Sequence, residues 1–361
     1  MNLSVGIVGL PNAGKSTIFN ALLKRSLANV AEHPFTTIEP NVGVVDVLDK
    51  RLEDLVEMVR KEQAGQGKDA EIKMVPATVK FVDIAGLVKG AHKGEGLGNK
   101  FLAKIREVDA IVRVVRGFED EKVPRVGGRD AKEDYEIVNT ELCLADLQTV
   151  EKKLEDRAIR TLKEVKKLSE LLGRIKSDLA KGIKVSEMNL SDEEKEMIRD
   201  LFLLTAKPEI KVLNVGERQL GKKVFEEEQS VVICAKLEAE LADFNPQERI
   251  EYLREIGVKK QALDLLIEKA FDVLSLIRFY TLKGGREITA WPIPKKTSIL
   301  EAAQRVHTDI AKGFIKAEVI SFSDLIKIGS WKEAQRMGKI RFEGKDNDVL
   351  DGEVIEFKFN V

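Results

Sequence analysis

Apolar residues arrive along this chain in distinct rhythms. From Leu3 to about Phe118, the runs "LSVGIVGL", "NVGVVDVL", "ATVKFVDIAG" and "DAIVRVVRG" are short, bounded by Gly, Asp or Asn, and read as strands. "STIFNALLKR" and "DKRLEDLVEMVRKEQ" intervene with the spacing of helices. Such alternation predicts an α/β sheet with both faces covered. The pattern resumes at "EIKVLNVGE" and "QSVVICAKLEAEL", and the helix-rich stretch from Asn245 to Ile277 closes it.

Between these halves the rhythm changes. Val165, Leu168, Leu172, Ile175 and Leu179 are spaced 3, 4, 3, 4, and Leu147, Val150 and Leu154 keep the same beat, the seam of a coiled coil. Lys181-Gly182 breaks the helix, and Ser191 with Glu194 forms a capping box for a second one that runs to the residues before Pro208. Residues 134–207 therefore read as a helical coiled-coil hairpin inserted into the α/β domain. From Phe279 the pattern changes again: "FYTLK" and "EITAWPI" as strands, a helix near Ile299 to Lys312, then "DGEVIEFKFN" with an Asp-Gly turn and alternation through Ile355, Phe357 and Phe359. The expected domains are 1–133 with 208–277, an insertion at 134–207, and a small α+β module at 278–361.

Charge and composition narrow the function classes. The net charge of −1 excludes a global field for nucleic acid or membrane, so any basic surface must be local. Between Glu151 and Lys184 eleven Lys/Arg face six Asp/Glu, either a solvated helix surface or a basic arm touching RNA. Cys143 and Cys234 show no CxxC or metal-ligand spacing and read as free thiols of a reducing compartment. With no signal-peptide layout and no apolar run of membrane length, the expectation is a soluble cytoplasmic protein, with no membrane partner.

The chemistry begins directly after the first strand. "GLPNAGKST" matches G-x-x-x-x-G-K-[ST] through Gly9, Gly14, Lys15 and Ser16, in the strand-then-helix setting that a phosphate-binding P-loop requires. Its glycines let backbone N–H groups wrap phosphates, Lys15 reaches the β/γ-phosphates, and Ser16 holds Mg²⁺. In "PFTTIEPN", Thr36 and Thr37 lie where a loop hydroxyl would complete the Mg²⁺ shell. In "FVDIAG", Asp83 suits a water-mediated Mg²⁺ contact and the Gly86 N–H suits the γ-phosphate. Leu87 stands where related enzymes place a water-orienting Gln, so hydrolysis must use another group or stay slow. His92, in the glycine-rich loop that follows, is a candidate to orient water, or simply a solvated loop residue.

The base site departs from the guanine-reading pattern Asn-Lys-x-Asp. Asn214 is kept, but Val215 replaces Lys and Glu217 replaces Asp. A guanine-reading Asp accepts from two N–H donors at once; Glu217 is one methylene longer, and Val215 lacks the Lys stem that covers the base. Both changes weaken guanine selectivity, since unmet buried donors cost affinity. Asn214 as a loop brace and Cys234, Ala235 and Lys236 against the base serve either purine, so the site leans to ATP or to loose discrimination.

Taken together, "GLPNAGKST", "PFTTIEPNVG", "DIAGLVKGAHKGEGLGN", "NVGE", "CAKLEAEL" and "HTDIAKGFIKAEVI" resemble the YchF-type members of the Obg-related P-loop NTPases, the Obg-like ATPases. The resemblance spans essentially the whole chain. It implies a G domain, an inserted coiled-coil domain and a C-terminal ubiquitin-like TGS domain, with ATP preferred over GTP. By match, Asn12, Ala13, Gly14, Lys15, Ser16 and Thr17 bind phosphates, Ser16 and Thr37 hold Mg²⁺, and Asn12 stands where some related GTPases bind K⁺. The implied partner is the ribosome, with its large subunit and RNA as the expected contact, and the protein is expected to be a monomer. The leading expectation is a slow ATPase whose nucleotide state controls ribosome binding. The alternatives are a GTP-preferring switch and a non-enzymatic ribosome-binding scaffold. "EITAWPIPKKTSILEAAQRV" is less typical of the family than its neighbours.

Overall fold

The computed structural model describes residues 3–29, 41–65, 71–84, 86, 97–156, 163–220, 230–258 and 260–360. In chain order the elements are β1 (Ser4–Val8), α1 (Lys15–Asn29), β2 (Val42–Asp46), α2 (Lys50–Gly65), β3 (Lys73–Val75), β4 (Thr78–Asp83), α3 (Leu97–Glu107), β5 (Ala110–Arg116), α4 (Ala131–Glu155), α5 (Lys163–Leu179) and α6 (Asp192–Ile198). There follow β6 (Glu209–Asn214), β7 (Val231–Ile233), α7 (Ala235–Leu241), α8 (Pro246–Glu255), α9 (Ala262–Val273), β8 (Leu276–Lys283), β9 (Glu287–Pro294), α10 (Ile299–Val306), α11 (Thr308–Lys312), β10 (Phe314–Ser321), α12 (Phe322–Ile328), α13 (Trp331–Arg336), β11 (Arg341–Glu343) and β12 (Glu353–Phe359). They fall into two compact units, Met1–Val45 with Lys80–Val273, and Asp46–Val79 with Leu274–Val361.

The first unit is a P-loop-type α/β sheet in the order β2-β4-β1-β5-β6-β7. β1 pairs in parallel with β4 and β5, and β6 and β7 continue in parallel. β1 and β5 are buried at every position, as central strands covered on both faces must be. Burial of that kind obliges the two arginines of β5 to find partners. Arg113 pairs with Glu209 at 2.6 Å and lies 4.4 Å over the Tyr135 ring. Arg116 donates to the carbonyls of Phe118, Val123 and Pro124.

The helical insertion forms from the residues that its spacing marked. Val150, Leu172, Ile175 and Leu179 are buried in one cluster with Leu147, Leu154 and Leu168 packed against it; the Val165 side chain lies outside the described residues. Two expectations need correction. The helix starts at Ala131, capped by Asp130, and Val138, Leu142 and Ala145 of α4 belong to the core of the α/β sheet with Leu10, Phe101 and Ile105. One helix therefore serves two cores, which an apolar period cannot separate. The helix that opens at the Ser191–Glu194 capping box ends at Ile198 and gives way to 3₁₀ turns at Arg199–Leu201 and Leu204–Ala206. The cause is Asp146 on α4, fully buried, which accepts from the Leu204 and Thr205 backbone N–H groups at 2.7 and 2.8 Å and from the Thr205 hydroxyl. Those N–H groups are thereby diverted from a continuous helix.

The second unit is a mixed sheet, order β11-β10-β12-β8-β9-β3, over a core of Phe279, Ile293, Ile299, Ala302, Val319 and Ile355. Residues 46–79, expected with the nucleotide-binding sheet, cluster here. β3 adds in parallel to β9, and α2 buries Leu52, Leu55, Val56, Met58 and Val59. Asp49 accepts from the Tyr280 hydroxyl at 2.5 Å. Further departures are local. The helix expected from Ile299 to Lys312 is divided at His307, whose extended backbone and Nδ1 cap α11. α12 and α13 fill a stretch in which no helix was anticipated. Ile355 and Phe357 are buried but Phe359 is exposed. Among the described residues no helix is long and apolar enough to cross a membrane.

Candidate functional site

The loop between β1 and α1 is shaped by its glycines. Gly9 and Gly14 have φ of 153 and 98, and a Cβ on either would meet the Val114 carbonyl or the Asn214 amide. Asn12 takes φ 60, and its Nδ2 donates to Pro124 O at 3.1 Å. Lys15 folds back over this loop: the residue is 6% exposed, and its ammonium donates to Leu10 O at 2.8 Å. Burial pushes that ammonium below its ordinary range, while the Asp83 carboxylate works the other way. A phosphate entering the loop would add counter-charge beside this buried ammonium.

Asp83 ends β4 beside this lysine. Its Oδ2 accepts from Ser16 Oγ at 2.9 Å, and its Oδ1 is buried with no hydrogen-bond partner among the described residues. An orphaned carboxylate oxygen next to a serine hydroxyl is the donor set that a hydrated Mg²⁺ takes up, so these residues fit the ion. Gly86 closes the same corner: a Cβ there would lie 3.1 Å from Lys15 Nζ and 3.2 Å from Pro11 N. Ser16 and Thr17 are exposed at the start of α1, and Ala13 is buried. Thr36, Thr37, Leu87 and His92 lie outside the described residues.

Asn214 spans the loop after β1 and the start of α7. Its Nδ2 donates to Ala13 O at 2.9 Å, and its Oδ1 accepts from Ala235 N at 3.0 Å. Cys234 is buried at the N-cap of α7, its thiol pushed up by burial, and Lys236 is exposed. Val215 is 2% exposed, its side chain packed inward with Val115 and Leu213, so that it presents only backbone to the site. Glu217 is exposed on a 3₁₀ turn, and its Oε1 accepts from the Tyr252 hydroxyl of α8 at 3.1 Å.

The fold thus brings Asn12, Ala13, Gly14, Lys15, Ser16, Asp83, Gly86, Asn214 and Ala235 into one contiguous arrangement. Two contributors escaped sequence reasoning. Arg116 braces the loop on which Asn12 docks; the signal available was an arginine inside an apolar strand. Tyr252 lies 35 positions from Glu217 on another helix, and nothing in the sequence pairs them.

Comparison with known proteins adds the following. Residues 4–140 match the family described as 50S ribosome-binding GTPase, and residues 276–360 match YchF-GTPase_C, described as a protein of unknown function (DUF933). The chain is 40% identical to the "Ribosome-binding ATPase YchF" of Bacillus subtilis and 42% identical to that of Escherichia coli O157:H7, covering 100% of both chains in each case. Among solved structures, the Schizosaccharomyces pombe YchF GTPase superposes with a TM-score of 0.85 at 33% identity, over 99% of this chain and 98% of that one. A GTP-binding protein from Pyrococcus horikoshii, at 21% identity and a TM-score of 0.57, shares the fold.

Proposed function

Since this chain belongs to the YchF family, we propose that it is a ribosome-binding ATPase that hydrolyses ATP slowly and changes its association with the ribosome according to the nucleotide held. The observation that carries the reading is the corner formed by Lys15, Ser16 and Asp83, where a buried cation and a carboxylate oxygen unpaired among the described residues stand beside a glycine loop. In action, the backbone N–H groups of the loop and Lys15 hold the β/γ-phosphates, and Gly86 lends its N–H to the γ-phosphate without a side chain to obstruct it. Bound at Ser16, with Asp83 acting through water and Thr37 completing the shell, Mg²⁺ would supply charge neutralisation for the leaving phosphate. K⁺ at Asn12 belongs to the same proposal. His92 is the candidate to orient water, given an apolar Leu87.

On the base side, Asn214 ties the phosphate loop to Ala235, while Val215 and Glu217 weigh against guanine. Support for a ribosomal partner comes from the names carried by the relatives. We place the protein in the cytoplasm as a monomer touching the large subunit and its RNA, with the inserted helices and the C-terminal TGS-type unit as contact surfaces. A second reading, GTP preference, is favoured by the S. pombe relative being called a GTPase. Calorimetry with slowly hydrolysed ATP and GTP analogues in Mg²⁺ separates the two, alongside co-sedimentation with ribosomes in each nucleotide state. Tighter ATP binding and a nucleotide-dependent ribosome fraction are expected. Tighter GTP binding would overturn the ATPase assignment, and sedimentation without ribosomes in every state would overturn the partner.

A further inference from the structure

Glu217 is the one carboxylate that the base-site motif supplies, yet it is not free. Its Oε1 accepts from the Tyr252 hydroxyl at 3.1 Å. Tyr252 is itself held from several sides. Its ring meets Phe244 edge-on, with centroids 5.8 Å apart and planes at 75°. It packs against the cluster of Cys234, Leu237, Leu241 and Leu253. The helix that carries it starts at a capping box of Asn245 and Glu248 with Pro246 in the first turn, and Arg249 ties it to the carbonyls of Leu241 and Phe244. A tyrosine this well anchored fixes the carboxylate bonded to it, since an exposed glutamate alone samples many rotamers.

The consequence lies in counting acceptors. Guanine offers two adjacent donors, N1–H and the 2-amino group, and asks for both oxygens of one carboxylate. A 6-aminopurine offers a single exocyclic amine. We propose that Tyr252 is a specificity-determining residue of the nucleotide site. By holding one oxygen of Glu217 toward α8, it leaves one acceptor for the base, enough for adenine and too few for guanine. The inference rests on Glu217 facing the base. Tyr252, the partner of Glu217, packs against the cluster of Cys234, which caps α7 next to Ala235, the residue whose N–H donates to Asn214; this puts the carboxylate beside the segment that flanks Asn214.

The test is the ratio of dissociation constants for the imido analogues of ATP and GTP. It is measured by calorimetry in Mg²⁺ on the full chain, for wild type, Tyr252→Phe, Glu217→Ala and the double variant. Phe keeps the ring packing and removes only the hydroxyl. The wild type is expected to favour the ATP analogue. Tyr252→Phe is expected to narrow that preference by about three- to tenfold, the worth of one hydrogen bond, through tighter binding of the GTP analogue. In the Glu217→Ala background the same substitution should leave the ratio where it stands. An unchanged ratio in Tyr252→Phe, or equal weakening of both analogues, overturns the role of Tyr252 while leaving the ATP reading intact. A wild type that favours the GTP analogue overturns the reading of the base site itself.

Discussion

Burial decides the chemistry of both thiols. Cys143 is 2% exposed, and its thiol is pushed up to about 11; that of Cys234 also rises by burial. Neither supplies thiolate at neutral pH, so Ellman's reagent should report almost no reactive thiol in the native protein and two in urea. The linkage has a definite sign. The folded state holds the Cys143 proton more tightly than the unfolded chain, so this contribution to stability is whole below pH 9 and lost as pH rises toward about 11. Urea midpoints measured across that window should fall for wild type and fall less for Cys143→Ala. That these cysteines are free was legible from their spacing. Their burial was not, because it depends on which helix faces meet.

Asp146 shows how one side chain dictates the shape of a segment far along the chain. It holds the N–H groups of Leu204 and Thr205 at the point where the second insertion helix was expected to continue. Asp146→Ala would leave those buried donors and the Thr205 hydroxyl without partners, and should cost about 3 kcal/mol in urea unfolding. If the cost were under about 0.5 kcal/mol, water must reach those groups. The helix start was legible because Ser191 and Glu194 lie three residues apart and cap locally. Its end was not, because the competing acceptor sits 58 residues earlier on α4.

The most distant partnerships decide how the chain divides. Asp49 lies 231 positions before Tyr280, yet its carboxylate accepts from the Tyr280 hydroxyl and pairs with Arg51 and Arg278. Asp49→Ala should remove about 2 kcal/mol from the unit containing β8 and β9, since it takes the acceptor from the buried Tyr280 hydroxyl. Hydrogen exchange should then show lower protection in β8 and β9 while the amides of β1 and β5 keep theirs. Uniform loss across the chain would mean that the two units unfold as one. Alternation of strands and helices, continuous along the chain, places residues 46–79 with the first sheet. β3 instead hydrogen-bonds along β9, a choice between sheets that a strand's own residues cannot record.

The glycine loop after β1, its lysine, the strand ending at Asp83 and the apolar seam of the inserted helices were readable directly, because each depends on spacing between near neighbours and on the backbone freedom of glycine. Packing between remote segments settled the rest: the burial that lowers Lys15, the double bond of Asn214 to Ala13 and Ala235, the hold of Tyr252 on Glu217, and the transfer of residues 46–79 to the second unit. Short-range order follows from local stereochemistry, whereas desolvation and hydrogen-bond partnership exist only once chain segments far apart in sequence exclude water from one another.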